Sequence, residues 1–183
     1  MAKEVALDID GENVKEMRET YVKALGNEWE SIKTPYQTKR FALYYHLNPS
    51  EDTVFHIAAY KGSVDLLRVL FDMVAGPRKW DVLTMKIQGN TLLHEVAVSK
   101  NVEAAKFLVE IAHEGRARIL MDCNNLGETV LHRAAAFGNK ATVEYLANEV
   151  EQEGNLQDHF TRTFDDLSIL HNAIMNGKFA AYC

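Results

Sequence analysis

The sequence predicts an all-α fold in which helix-turn-helix units stack side by side into a solenoid. Three observations lead there. First, Thr53-Val54-Phe55-His56, Thr91-Leu92-Leu93-His94, Thr129-Val130-Leu131-His132 and Ser168-Ile169-Leu170-His171 align without gaps, their histidines 38, 38 and 39 residues apart. Second, each is followed by a short stretch rich in Ala and then a Gly, at Gly62, Gly138 and Gly177, with Lys100 in that place in the second copy. Third, an apolar stripe at helical spacing comes next: Val64, Leu67 and Leu70, matched by Val102, Ala105 and Leu108, then by Lys140, Val143 and Leu146. Two short helices cannot bury such stripes alone, but stacked copies can.

Each part of the unit has a physical reason. Thr or Ser ahead of the first apolar turn can accept a bond from the free backbone N–H groups of that turn. Gly at the end supplies the left-handed conformation that stops the first helix. The second helix carries Arg68, Lys106 and Glu144 at matching positions on its polar side. The rest of each unit is an irregular return, including Ala75-Gly76-Pro77-Arg78-Lys79-Trp80 and His113 to Leu120.

The chain divides accordingly. Residues 1–14 are an acidic, flexible tail leading into a helix near Val14, with Asn13 as its cap and Glu16 in capping-box position. Residues 15–183 form the repeat domain: a degenerate first unit at 15–50, full units at 51–88, 89–126 and 127–165, and an incomplete unit at 166–183. In the first unit Trp29 falls where Val64 sits in the next. At the far end Phe179 takes the Val64 position and the sequence stops before the equivalent of Leu70. A truncated product or a fragment is the expectation there, and adding a complete fifth unit would then raise the thermal midpoint.

Thr-x-x-His-x-Ala followed by a Gly turn resembles the ankyrin repeat, whose usual form is Thr-Pro-Leu-His-x-Ala over about 33 residues. The chain departs from it in holding Val54, Leu92, Val130 and Ile169 at the Pro position, and in units about five residues longer. The resemblance implies an all-α ankyrin-repeat solenoid. A narrower one follows from Gly89-Asn90-Thr91-Leu92-Leu93-His94, Gly127-Glu128-Thr129-Val130-Leu131-His132 and Asp166 to Ile174, with Tyr21 to Glu30 as the degenerate start. These are similar to plant ankyrin proteins that continue into a C-terminal membrane domain of the PGG type. That domain is absent from this chain. This resemblance implies stress, defence or salt signalling near the plasma membrane.

Composition narrows the function classes. The chain has 183 residues, 47% hydrophobic and 25% charged, which fits a folded globular protein. A net charge of −6 argues against nucleic acid as a ligand. Cys123 and Cys183 are the only cysteines, which argues against a disulfide scaffold. Acidic residues interrupt the first ten positions, so no secretory leader is legible, and no apolar run approaches the roughly 20 residues of a membrane helix. Asn48-Pro49-Ser50 is barred from glycosylation by its Pro. The expectation is a cytoplasmic protein without direct membrane insertion.

Several residues invite chemistry and are better explained otherwise. His56, His94, His132 and His171 occur once per unit, and neighbouring helices lie about 8–10 Å apart, too far for successive imidazoles to share a metal. A buried imidazole bonded to its Thr and to the backbone of an adjacent turn is expected instead. His46, His113 and His159 are expected at the surface. His94-Glu95 opens a zinc-protease motif that Val98 breaks. Cys123 is expected as a half-buried filler rather than a nucleophile paired with His132. Arg116 and Arg118 read as a solvated loop. Phe107 and Tyr145, at the position of Val69, read as packing between units, and Trp80 divides between binding and packing.

The reading is thus a non-catalytic scaffold with no cofactor and no metal, binding another protein or peptide on the concave face that first helices and return tips create. Positions free of repeat constraint should carry specificity. In the first helices these are Ile57, Tyr60, Lys61, Glu95, Val98, Ser99, Arg133, Phe137 and Asn172. On the return tips they are Lys86, Gln88, Asn124 and Asn125, with Ile87 and Leu126 beside them. Two alternatives stand beside it: the cytosolic regulatory part of a membrane transport or channel-like protein, and a metal-binding or thiol enzyme built on Cys123 and nearby histidines.

Overall fold

The computed structural model describes residues 11–26, 28–38, 40–74, 76, 78–115, 119–152 and 168–177. Among them the chain runs α1 (Gly11–Leu25), α2 (Trp29–Thr38), a 3-10 turn at Arg40–Tyr44, α3 (Val54–Lys61), α4 (Val64–Met73), α5 (Arg78–Thr84), α6 (Leu92–Val98), α7 (Val102–Gly115), α8 (Val130–Ala136), α9 (Lys140–Gln152) and α10 (Ile169–Met175). The helices form two rows. In one, α1 packs on α3, α3 on α6, α6 on α8 and α8 on α10. In the other, α4 packs on α7 and α7 on α9. This is the stacked all-α solenoid that the repeat pattern predicts.

The unit is built as its sequence dictates. Thr53, Thr91 and Thr129 hold extended backbone immediately before α3, α6 and α8 and are fully buried. Gly62 ends α3 in the left-handed region at φ 64°. The stripe positions Leu67, Leu70, Ala105, Leu108 and Leu146 are buried, while Arg68, Lys106 and Glu144 face solvent. Lys140, where the stripe is interrupted, is exposed. Phe107 is buried and Tyr145 half-buried against the core, in agreement with packing between units. Phe71 stands between Phe55 (5.4 Å) and Phe107 (5.9 Å), both edge-to-face, and so joins two units through aromatic contact.

Four expectations are corrected. The first helix begins at Gly11, so Asn13 lies inside it and is no cap. Arg78–Thr84, expected as irregular return, is a helix. It buries Val82 and Leu83 against α6 and α7, and its half-buried Trp80 packs on the core. Cys123 is exposed, because its return strap holds the residue outward with Asp122 and Lys86 in contact. The Thr53 hydroxyl makes no bond to the amides of α3 and meets the His56 ring instead. Arg116, Arg118, His159 and Phe179 lie outside the described residues. His46 is half-buried, and exposed His113 reaches Glu149 at 3.7 Å.

Two asparagines hold successive units together. Asn101 Nδ2 donates to the Gly62 carbonyl at 2.8 Å, while its Oδ1 accepts the Glu103 amide at the start of α7. Asn139, 38 residues on, donates to the Ala97 carbonyl at 2.9 Å and to the Ser99 carbonyl. Each thus satisfies carbonyls that the preceding unit's first helix leaves open at its end.

Candidate functional site

The repeat histidines are internal fasteners. The Thr91 amide donates to His94 Nδ1 at 3.3 Å, and the Thr91 hydroxyl lies 2.8 Å from the same nitrogen. An amide can only donate, so Nδ1 is an acceptor and the ring proton sits on Nε2. That Nε2–H donates to the Glu128 carbonyl of the next unit at 3.0 Å. Thr129 and His132 repeat the local half of this arrangement, as do Ser168 and His171. At His56 the hydroxyl contact is 2.9 Å.

Burial pushes His56 and His94 down to about 4 from the usual 6.5. Asp52 and the Met85 carbonyl partly offset this at His56, as the Glu128 carbonyl does at His94. The unfolded chain therefore takes up more protons between pH 6.5 and 4, and stability present above pH 6.5 is lost as the pH falls through that window. By pH 5 each imidazole should have cost about 2 kcal/mol relative to neutral pH. Denaturant midpoints at pH 7.5 and 5 should therefore differ, and His94→Gln should reduce the difference by about half.

The return tips are ordered turns. Ile87 and Asn90 exchange both backbone bonds at 2.9 Å around Gln88 (φ 50°) and Gly89 (φ 85°). In the next unit Asn124 Oδ1 accepts the Leu126 and Glu128 amides. Its Nδ2 reaches Asn90 Oδ1 at 3.0 Å and Glu128 Oε2 at 2.8 Å. Lys86 Nζ donates to the Cys123 carbonyl at 3.1 Å and pairs with Asp122 at 3.4 Å. Successive tips are thereby bolted into one rim.

The expected binding positions separate by exposure. Tyr60 (51% exposed), Lys61, Lys86, Gln88, Asn125 and Phe137 (45%) are exposed, and Glu95, Val98 and Arg133 are half-buried. Ser99 and Asn124 are corrected: both are buried at 7%, Ser99 against Gly62 and Asn101, Asn124 in the turn network. Ile57 is buried at 4% and shows only its edge to the groove, and neighbouring Ile87 is buried too. Asn172 lies in α10, its side chain outside the described residues.

The structure gathers Ile57, Tyr60, Gln88, Glu95 and Arg133 around a cavity of about 480 Å³ between units. Tyr21, Leu25, Ser50, Asp52, His56, Ile87 and Asn90 complete its wall. Sequence reasoning missed Tyr21, Leu25, Ser50 and Asp52 as site residues, because α1 and the 48–52 turn lie outside the repeat motif. Asp52 is fixed by Asn48, whose Nδ2 donates to it at 2.7 Å. Burial raises the Glu95 carboxyl above its ordinary value, Arg133 and Asn90 oppose that, and Asp52 adds to it. Arg133 stacks over Phe137 at 5.2 Å and reaches Glu128 at 3.9 Å. Among the described residues no group of three or more His, Cys, Asp or Glu could hold a metal ion, and no helix is long and apolar enough to cross a membrane.

Helical hairpins stacked in two rows, each first helix opened by a Thr–His or Ser–His pair, define a repeat protein. The family model for ankyrin repeats, in three copies, matches residues 55–158, and the chain belongs to that family. A Saccharomyces cerevisiae protein described as a probable 26S proteasome regulatory subunit p28 is 31% identical over 106 residues. The match takes in 58% of this chain and 43% of the yeast protein's length. Membership of the ankyrin-repeat family points to a protein-interaction module.

Proposed function

We propose that this chain is a non-catalytic scaffold that holds a segment of another protein along its concave face. One observation carries the reading. The Thr–His pairs of the motif bond to one another, and His94 reaches on to the next unit, while Tyr60, Gln88, Glu95, Arg133 and Phe137, from three consecutive units, share one accessible face. Rigid, partly exposed aromatic and Arg side chains are the residue types that anchor protein interfaces. The net charge of −6 fits a protein partner better than a nucleic acid.

The yeast relative's description makes a proteasome regulatory assembly the first partner to try. The test is affinity capture with the wild-type chain and with a Tyr60→Ala, Glu95→Gln, Arg133→Ala, Phe137→Ala variant. Any protein retained by the first should be lost by the second, at least about 100-fold in affinity if two of the four positions are hot spots. Unchanged affinity would sink the assignment of this face.

A second reading rests on the likeness of Gly89–His94, Gly127–His132 and Ser168–Ile174 to plant ankyrin proteins linked to a membrane domain. There the chain is the cytosolic recognition part, working at the plasma membrane in stress or defence signalling. Apolar segments in the transcript downstream of Cys183 would favour it.

A further inference from the structure

We propose that the cavity in the concave face is a subsite for a basic side chain of the bound partner, an arginine above all, received between Asp52 and Glu95. The proposal rests on the scaffold reading and names the chemistry of what that scaffold binds. The cavity, about 480 Å³, is large enough for a long side chain. Its wall sets two carboxylates against one guanidinium and the His56 imidazole, which burial keeps neutral at neutral pH. That guanidinium, on Arg133, is divided among Glu95, whose charge it favours, Glu128 at 3.9 Å and the Phe137 ring. Asp52 is held in place by Asn48, so its carboxylate is preorganised. Glu95 is half-buried; burial raises its carboxyl, Arg133 and Asn90 partly offset that, and Asp52 adds a like charge that an incoming cation between the two carboxylates would screen.

The remaining wall chooses among cations. Two carboxylates fall short of the six to eight oxygens that calcium takes, so an organic cation fits better than a metal. Tyr21 and Tyr60 border the cavity. Aromatic faces suit the planar guanidinium more than the compact, strongly hydrated ammonium of lysine. Gln88, exposed on the return tip, adds a side-chain carbonyl acceptor to the wall.

The test needs no partner. The full chain, isotopically labelled, is titrated in separate NMR experiments with N-acetyl-arginine amide, N-acetyl-citrulline amide and N-acetyl-glutamate amide. The arginine probe should shift Tyr60, Gln88 and Glu95 amides along a saturable millimolar curve, about tenfold weaker in Asp52→Asn/Glu95→Gln. Citrulline, the same shape without charge, should leave them unmoved on the wild-type chain, which holds whether or not the double variant folds. Equal shifts with citrulline, no shifts with arginine, or preferential binding of the glutamate probe would each overturn the proposal. If the arginine probe fails while the fourfold variant still loses a captured partner, the subsite falls and the scaffold reading stands.

Discussion

Replacing His94 with alanine should destabilise the fold by about 3–5 kcal/mol, the range for breaking a fully buried polar network. The imidazole serves the Thr91 amide and hydroxyl within its own unit and the Glu128 carbonyl in the next. It is wholly inaccessible to water, so its loss strands those groups and leaves a cavity as well. His171 makes the same local bonds to Ser168, but is exposed. His171→Ala should therefore cost about 1 kcal/mol or less, since water can replace what is lost. Chemical denaturation of the two variants reads the difference directly. Equal losses would mean that the motif acts only as a local cap and does not link units.

Gly89→Ala is expected to be nearly as damaging, by about 2–4 kcal/mol, through backbone strain together with a backbone clash. Gly89 sits at φ 85°, and a Cβ there would overlap the Asn125 amide nitrogen and side chain in the neighbouring tip. Relief requires the two turns to separate, which breaks the Asn124–Asn90 bond and the Lys86 contacts that bolt the rim. Gly177 provides the control: its φ is 66°, and a methyl group added there would meet no atom of the described residues within 4 Å. Gly177→Ala should cost only the left-handed penalty of about 1 kcal/mol. Comparable thermal midpoints for the two would contradict the account of the rim.

These contrasts also indicate what was legible before the structure. The period, the Thr and His of each unit and the apolar stripe are chemically forced, so they could be read directly, and so could the bond from imidazole to the backbone of an adjacent turn, which His94 makes to Glu128, whereas exposed His171 departs from the expected burial. Asn101 and Asn139 were equally periodic, but an Asn between helices reads as an ordinary turn residue until its donor is seen on the preceding unit. Ser99 and Asn124 failed as surface positions for the same reason: variability along the repeat says nothing of burial by the neighbour. Helix α5 hid behind Gly76 and Pro77, which punctuate a loop, although Val82 and Leu83 form an apolar pair that needed covering. Tyr21, Leu25, Ser50 and Asp52 of the cavity wall come from α1 and the 48–52 turn, where no motif marks the register.

At the far end Leu170, Ile174 and Met175 of α10 are 52%, 50% and 71% exposed. Their counterparts Leu131 and Ala135 lie covered by the following unit, with exposures of 4% and 0%. The first helices bury one another along their row, α8 packing on both α6 and α10.

Amide hydrogen exchange of the chain, free and saturated with a captured protein partner, tests the central claim most directly. Slowed exchange should concentrate at the ends of α3, α6 and α8 and in the 86–90 and 124–128 turns. The outer helices α4, α7 and α9 should be unaltered. Protection confined to those outer helices would place the partner on the opposite surface and contradict the account.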